Sequence, residues 1–99
     1  MLNINENTDN GKTIIALAGR LDTITAPGFE EKLQNIINGK HELIMDFANL
    51  EYISSAGLRL LLSAQKRMSK QGKMKLVNVN DTVMEILEVT GFADILTIE

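Results

Sequence analysis

The chain has 99 residues, a net charge of −3 and 44% hydrophobic residues, which fits one soluble globular domain spanning residues 1–99. It has no cysteine, which excludes disulfides, thiol nucleophiles and zinc–thiolate sites. The acidic balance argues against a nucleic-acid binder, and no apolar run approaches the ~18 residues that a membrane span needs.

The first ten residues, "MLNINENTDN", are polar and lack a signal-peptide pattern, so a soluble cytoplasmic monomer without membrane insertion is expected. Residues 2–7 alternate, with Leu2 and Ile4 on one side and Asn3 and Asn5 on the other, which predicts a half-exposed edge strand. "TDNG" (Thr8 to Gly11) has turn chemistry, with Asn-Gly or Asp-Asn able to take positive φ. "TIIALA" (Thr13 to Ala18) is a continuous apolar run, which predicts a strand covered on both faces. The two strands together read as a hairpin.

After the break "GRLDTITAPG", Phe29, Leu33, Ile36 and Ile37 recur at helical spacing. Thr25 is the expected N-cap, and Pro27 sits in the first turn, where a missing N–H costs nothing. Glu30 and Glu31 fall near the positive end of the helix dipole, and Gly39 reads as the stop. "ELIMDF" (Glu42 to Phe47) is the third strand. "ANLEYISSAG" then leads into a second helix over about 56–70. Leu58, Leu61, Leu62, Ala64 and Met68 form its buried side; Arg59, Ser63, Lys66, Arg67 and Lys70 form its wet side. Gly72 ends it. Met74 to Val79 is the fourth strand. Asn80 or Asp81 caps a third helix with Val83, Ile86, Leu87 and Thr90 inward, Gly91 stops it, and "DILTIE" is a fifth strand.

The order β-β-α-β-α-β-α-β predicts an α/β domain with a mixed, mostly parallel five-stranded sheet and three main helices, entered by an antiparallel hairpin strand. Crossovers should be right-handed. Function in such sheets gathers at the carboxyl ends of strands, where "GRLDTITAPG", "ANLEYISSAG" and "NVNDT" lie.

Enzyme readings find little support there. The single histidine, His41, starts the third strand and cannot reach a serine at that strand's far end, which removes a Ser55 hydrolase. There is no G-x-S-x-G elbow, Walker loop or G-x-G-x-x-G, and no acidic spacing that converges on a metal. A response-regulator receiver expects an acidic pair right after strand one and an acceptor aspartate after strand three; here strand one carries Asn3, Asn5 and Glu6, and serines occupy the other loop. No cofactor is expected.

Ser54 and Ser55 carry the sharper question. Serine is a preferred N-cap, worth about 1 kcal/mol over alanine. One cap needs one serine, so the other falls in the first helical turn with its hydroxyl at the exposed mouth. A phosphate there brings about −1.5 to −2 charges, which free amides tolerate and a docked partner does not.

Three stretches, "GRLDTITAP" (Gly19 to Pro27), "LIMDFANLEYISSAGLRLLL" (Leu43 to Leu62) and "VTGFADI" (Val89 to Ile95), make nearly the whole chain resemble the STAS-domain anti-sigma factor antagonists of bacteria. The middle stretch is the specific one. The resemblance implies a STAS fold and a non-enzymatic role: binding an anti-sigma factor, often a GHKL-type serine kinase, to release a sigma factor for transcription. Phosphorylation by that kinase ends the interaction, and a PP2C-type phosphatase restores it, a cycle called partner switching. It also implies that the phosphoacceptor is the serine two residues before the motif glycine, Ser55 ahead of Ala56 and Gly57. Many members have aspartate before the acceptor; Ser54 stands there in this chain and is a rival acceptor. Asp22 and Thr23, with Ser54, Ser55, Ala56, Gly57, Leu58 and Arg59, are the implied partner surface. A turn role for Asp22 and a solvated role for Arg59 stay open, and Asp46, the matching strand-end aspartate, is read as structural. Some STAS domains are instead constitutive subunits of lipid transporters or larger signalling assemblies, without a serine cycle; that is the alternative reading.

Overall fold

A computed structural model describes residues 1–99, the side chain of Asp9 excepted. The elements are β1 (Leu2–Asp9), β2 (Lys12–Leu21), α1 (Ala26–Ile36), β3 (Glu42–Ile53), α2 (Ser55–Gln71), β4 (Lys73–Val77) and α3 (Asp81–Val89), followed by one 3-10 turn over Phe92–Asp94. Four strands form one sheet in the order β1-β2-β3-β4. β1 runs antiparallel to β2, and the other two pairings are parallel.

The hairpin follows from two residues. Asn10 and Gly11 both take positive φ, 51° and 80°, which is the turn whose twist matches paired strands. Asp9 then pairs with Lys12, and the register continues to Leu2 opposite Gly19.

β2 departs from the expectation of two covered faces. Thr13, Ile15 and Leu17 are buried, while Lys12 and Ile14 are exposed. Both crossovers, β2–α1–β3 and β3–α2–β4, step the same way across the sheet, so right-handed connections place α1 and α2 on one face. The other face stays partly open.

β3 is twice the expected length. Two register shifts, between Ala16 and Ala18 and between Gly19 and Arg20, each give β3 one residue more than β2. At the first bulge the Asp46 carboxylate accepts the Ala48 amide at 2.9 Å, the structural role foreseen for Asp46. The bulges space the buried residues Phe47, Leu50 and Ile53 three apart instead of two, which hides the strand from a period-2 reading.

The fifth strand is absent. After the 3-10 turn, the C-terminal residues make a single parallel bridge, Leu76 to Ile98, held by Leu76 N to Thr97 O at 2.8 Å and Glu99 N to Leu76 O at 2.9 Å. β4 stops early, because Asn78 leaves extended backbone at φ 55°.

The helices bury the expected faces with four corrections. Thr25 makes no side-chain cap, since its hydroxyl turns back to Asp22 and Arg20. Glu30 and Glu31 lie beyond the first turn of α1, where the dipole effect has faded. On α2, Leu60 is buried and Leu62 only half-buried. Thr90 is exposed, its hydroxyl donating to the Ile86 carbonyl at 2.7 Å. The core packs Phe29 and Leu33 of α1 and Leu61 and Met68 of α2 onto Leu17, Met45 and Phe47, each worth about 1.5–3 kcal/mol of burial.

α2 is tied at both ends. The Ser54 amide donates to the Leu21 carbonyl at 2.9 Å. At the other end the Gln71 side-chain amide donates to the carbonyls of Ile37 (2.6 Å) and Lys40 (2.8 Å).

Candidate functional site

β2 and β3 end side by side, with Leu21 opposite Ile53, and each delivers a loop to the same rim. From β3 the chain enters α2 in one residue. Ser54 is the N-cap, extended at φ −94° and ψ 175°, and its Oγ accepts the Gly57 amide at 3.4 Å. Its carbonyl accepts the Leu58 amide at 2.9 Å and opens the helix. Ser55 is the first helical residue and is exposed. The two serines therefore divide the work: Ser54 closes the helix end and Ser55 presents its hydroxyl. The cap bond is long, so Ser54→Ala should cost about 0.5–1 kcal/mol, at the lower end for caps, read as a small drop in the thermal midpoint.

Gly57 lies under this turn. A Cβ at Gly57 would stand 2.8 Å from Ile53 Cγ1 and 2.8 Å from Leu21 Cγ. The glycine thus lets the start of α2 rest directly on both strand ends. Leu58 is 4% exposed and points into the core, so neither residue offers a partner its side chain; they support the surface from beneath.

From β2 the chain makes a tight turn organised by Asp22. Its Oδ1 accepts the amides of Ile24 and Thr25, both at 3.0 Å, and the Thr25 hydroxyl at 3.2 Å. The Thr25 hydroxyl also accepts the Asp22 amide at 2.9 Å. Arg20 Nε lies 3.6 Å from Asp22 Oδ2, and its guanidinium sits 4.5 Å over the Tyr52 ring, the residue opposite it on β3. The Thr25 amide, then the Ile24 amide, the Thr25 hydroxyl and the Arg20 charge hold the Asp22 carboxyl below its ordinary value of 3.8, against a partial opposing effect of burial. Because the folded value is lowered, the turn gains support above the ordinary carboxylate range and loses it as pH falls through the lowered value. The Ile24 and Thr25 amide resonances should accordingly titrate together with a midpoint below 3.8, and Asp22→Asn should abolish that titration.

The two loops meet across α1 and α2. Thr23, Ala56 and Arg59 line one groove of about 430 Å³ with Ala26, Pro27, Glu30 and Leu60. Of the expected surface, Thr23, Ser55, Ala56 and Arg59 are thus gathered at one exposed rim, with Asp22 and Ser54 holding its backbone. Arg20 and Tyr52 join them without a role in the sequence reading, as do Pro27 and Glu30, which have only helix-start roles there. The alignment of Arg20 with Tyr52 needs the second β3 bulge, and the groove needs α1 against α2; neither is local in sequence. His41 precedes β3, and the twelve residues of that strand separate it from Ser54. Among the described residues no cluster of three His, Asp or Glu side chains could hold a metal. A larger depression of about 720 Å³, lined by residues including Asn3, Gly19, Asn49 and Asn80, shares no residue with this rim. Among the described residues no helix is long and apolar enough to cross a membrane.

The STAS domain profile matches residues 2–99, and the chain belongs to the STAS-domain family. The anti-sigma-B factor antagonist of Bacillus subtilis is 26% identical over 98 residues, covering 98% of this chain and 90% of that protein. BtrV of Bordetella bronchiseptica, an anti-sigma factor antagonist by provisional name, is 32% identical over 91 residues, covering 90% and 78%. Among solved structures, an anti-sigma factor antagonist from Mycobacterium paratuberculosis superposes with a TM-score of 0.89 at 18% identity, over 99% of this chain and 85% of that one. The Bacillus antagonist SpoIIAA superposes in its unphosphorylated form with a TM-score of 0.75 at 20% identity, over 98% and 87%. At those identities the superpositions establish the fold, a single α/β STAS domain.

Proposed function

We propose that the chain is an anti-sigma factor antagonist switched by phosphorylation of Ser55. It binds an anti-sigma factor that is also a GHKL-type serine kinase, and so frees a sigma factor in the cytoplasm. The kinase transfers the γ-phosphoryl group of ATP to Ser55 Oγ and releases its product; a PP2C-type phosphatase hydrolyses the phosphoserine. The chain is ligand and substrate in this cycle, not the enzyme.

The observation that carries the reading is the division between the serines: Ser54 spends its oxygen on the helix end, and Ser55 is exposed one residue on. The names of the curated relatives support the antagonist role, and SpoIIAA is a protein of this fold that has been solved in a phosphorylated form. A phosphate on Ser55 would meet free first-turn amides, so the fold tolerates it. Asp22, Thr23, Ala56 and Arg59 surround it and complete the docking rim.

The test is phosphorylation with a GHKL-type serine kinase and ATP, mapped by mass spectrometry. One phosphate on Ser55 is expected, retained in Ser54→Ala and lost in Ser55→Ala. Phosphate on Ser54, or continued labelling of Ser55→Ala, overturns the assignment. Co-purification with a transporter ATPase in place of a kinase-like protein would overturn the antagonist role in favour of a constitutive transporter subunit.

A further inference from the structure

α2 carries Arg59, Lys66, Arg67 and Lys70 and no acidic residue, in a chain whose net charge is −3; the remainder of the chain therefore carries −7. The cations are not spread around the helix. At about 100° per residue, Ser55, Lys66, Arg59, Lys70 and Ser63 fall within an arc of roughly 80°, and Arg67 flanks it. All five arc residues are exposed. They extend about 22 Å along the helix axis, at ~1.5 Å per residue. Among the described residues the ion pairs are Arg20–Asp22 and Lys75–Glu99, so none neutralises α2. Glu30 of α1 lines the grooves beside Arg59 and Arg67 and offsets part of their charge.

We propose that this outward face of α2, from Ser55 to Lys70, is a docking strip for an acidic protein surface. The proposal deepens the functional reading above and rests on it for where the strip begins. Several cations held on a rigid helix steer an acidic partner and fix its register. The strip starts at the switch residue. A phosphate on Ser55 stands one turn before Arg59, in the i,i+4 arrangement that favours an acidic group N-terminal to a basic one. It pairs with the first cation and adds about two negative charges to the strip. The attraction that draws the partner is thereby cancelled at the end where docking must close. The arc residues between the cations are serines, and the one large aliphatic side chain at its border, Leu62, is half-buried, too little apolar surface to insert into lipid. The acidic remainder of the chain disfavours nucleic acid. A protein partner is the occupant that fits both facts.

The test titrates the isotope-labelled full chain with a deca-glutamate peptide and follows amide resonances. Shifts centred on Arg59, Ser63, Lys66 and Lys70 are expected, with affinity falling at least about tenfold between roughly 25 and 250 mM salt. Lys66→Glu/Lys70→Glu should lose at least about tenfold, the neutral pair Lys66→Gln/Lys70→Gln an intermediate amount, and the Ser55-phosphorylated chain several-fold. Absent binding, shifts centred elsewhere, or tighter binding to phosphatidylserine vesicles or oligo-dT than to the peptide would overturn the proposal. The titrations of the unphosphorylated chain and its lysine variants need no kinase. A failed phosphorylation test with intact peptide binding would therefore sink the phosphoserine cycle alone, and the reverse pattern would sink the strip alone.

Discussion

Ser55→Asp is expected to weaken binding to the anti-sigma partner by roughly several hundredfold while leaving the thermal midpoint within a few degrees of the parent. The two halves of that result have separate causes. In the free protein, residue 55 is exposed and stands at the first position of α2. A carboxylate there faces the positive end of the helix dipole and is stabilising by about 0.3–1 kcal/mol. In the proposed complex, the same charge would be closed in against an acidic partner surface that supplies no counter-ion and competes for Arg59. An uncompensated charge of that kind costs about 3–4 kcal/mol, and 1.4 kcal/mol is tenfold. Calorimetric titration of the partner into each form measures the difference, with Ser55→Asn as a neutral control that should bind within about tenfold of the parent. Equal affinity for Ser55→Asp and the parent would mean that the docking surface does not cover residue 55.

Gly57→Ala should destabilise the protein by about 1–3 kcal/mol, although alanine is the better helix former. The helix-propensity gain is at most ~1 kcal/mol and is smaller in a first turn. Against it stands overpacking at two contacts of 2.8 Å. Those contacts are to the branch atoms of Leu21 and Ile53, which are 0% and 1% exposed and packed into the core, so they cannot swing aside into solvent. The first turn of α2 must therefore lift, which also strains the Ser54–Leu21 bond that joins it to β2. For a domain of this size the midpoint should fall by about 4–8 °C per kcal/mol. An unchanged or raised midpoint would show that α2 can ride outward without cost.

Much of this fold is legible in the residues, for reasons that can be named. Asn10-Gly11 announces the hairpin because few other pairs accept two positive φ angles. The helix faces are visible because Phe29, Leu33, Leu61 and Met68 recur at helical spacing. The larger failures depend on contacts made across the sheet, while the Thr25 cap is lost to a local contact. The length of β3 is hidden by bulges that change the spacing of Phe47, Leu50 and Ile53. The false fifth strand comes from "DILTIE", whose pattern is strand-like but whose first residues close a 3-10 turn, so that a single bridge, Leu76 to Ile98, forms beyond it. Thr25 has the right identity for a cap, yet Asp22 competes for its hydroxyl. At the site, the serine pair stands out in the sequence, but which serine caps is decided by where the Leu21 carbonyl meets the chain. The groove between Pro27, Glu30 and Arg59 has no sequence signature, since it exists only once α1 lies beside α2.

The tethers at Ser54 and Gln71 bear on how residue 55 is recognised at all. A helix fastened at both ends cannot extend its first residues into a cleft built for linear peptides. An enzyme that modifies this hydroxyl must read a folded contour, and unfolding the chain erases the substrate along with the ligand. Selectivity between closely related copies in one cell then resides in shape, where a short consensus around the serine would not suffice.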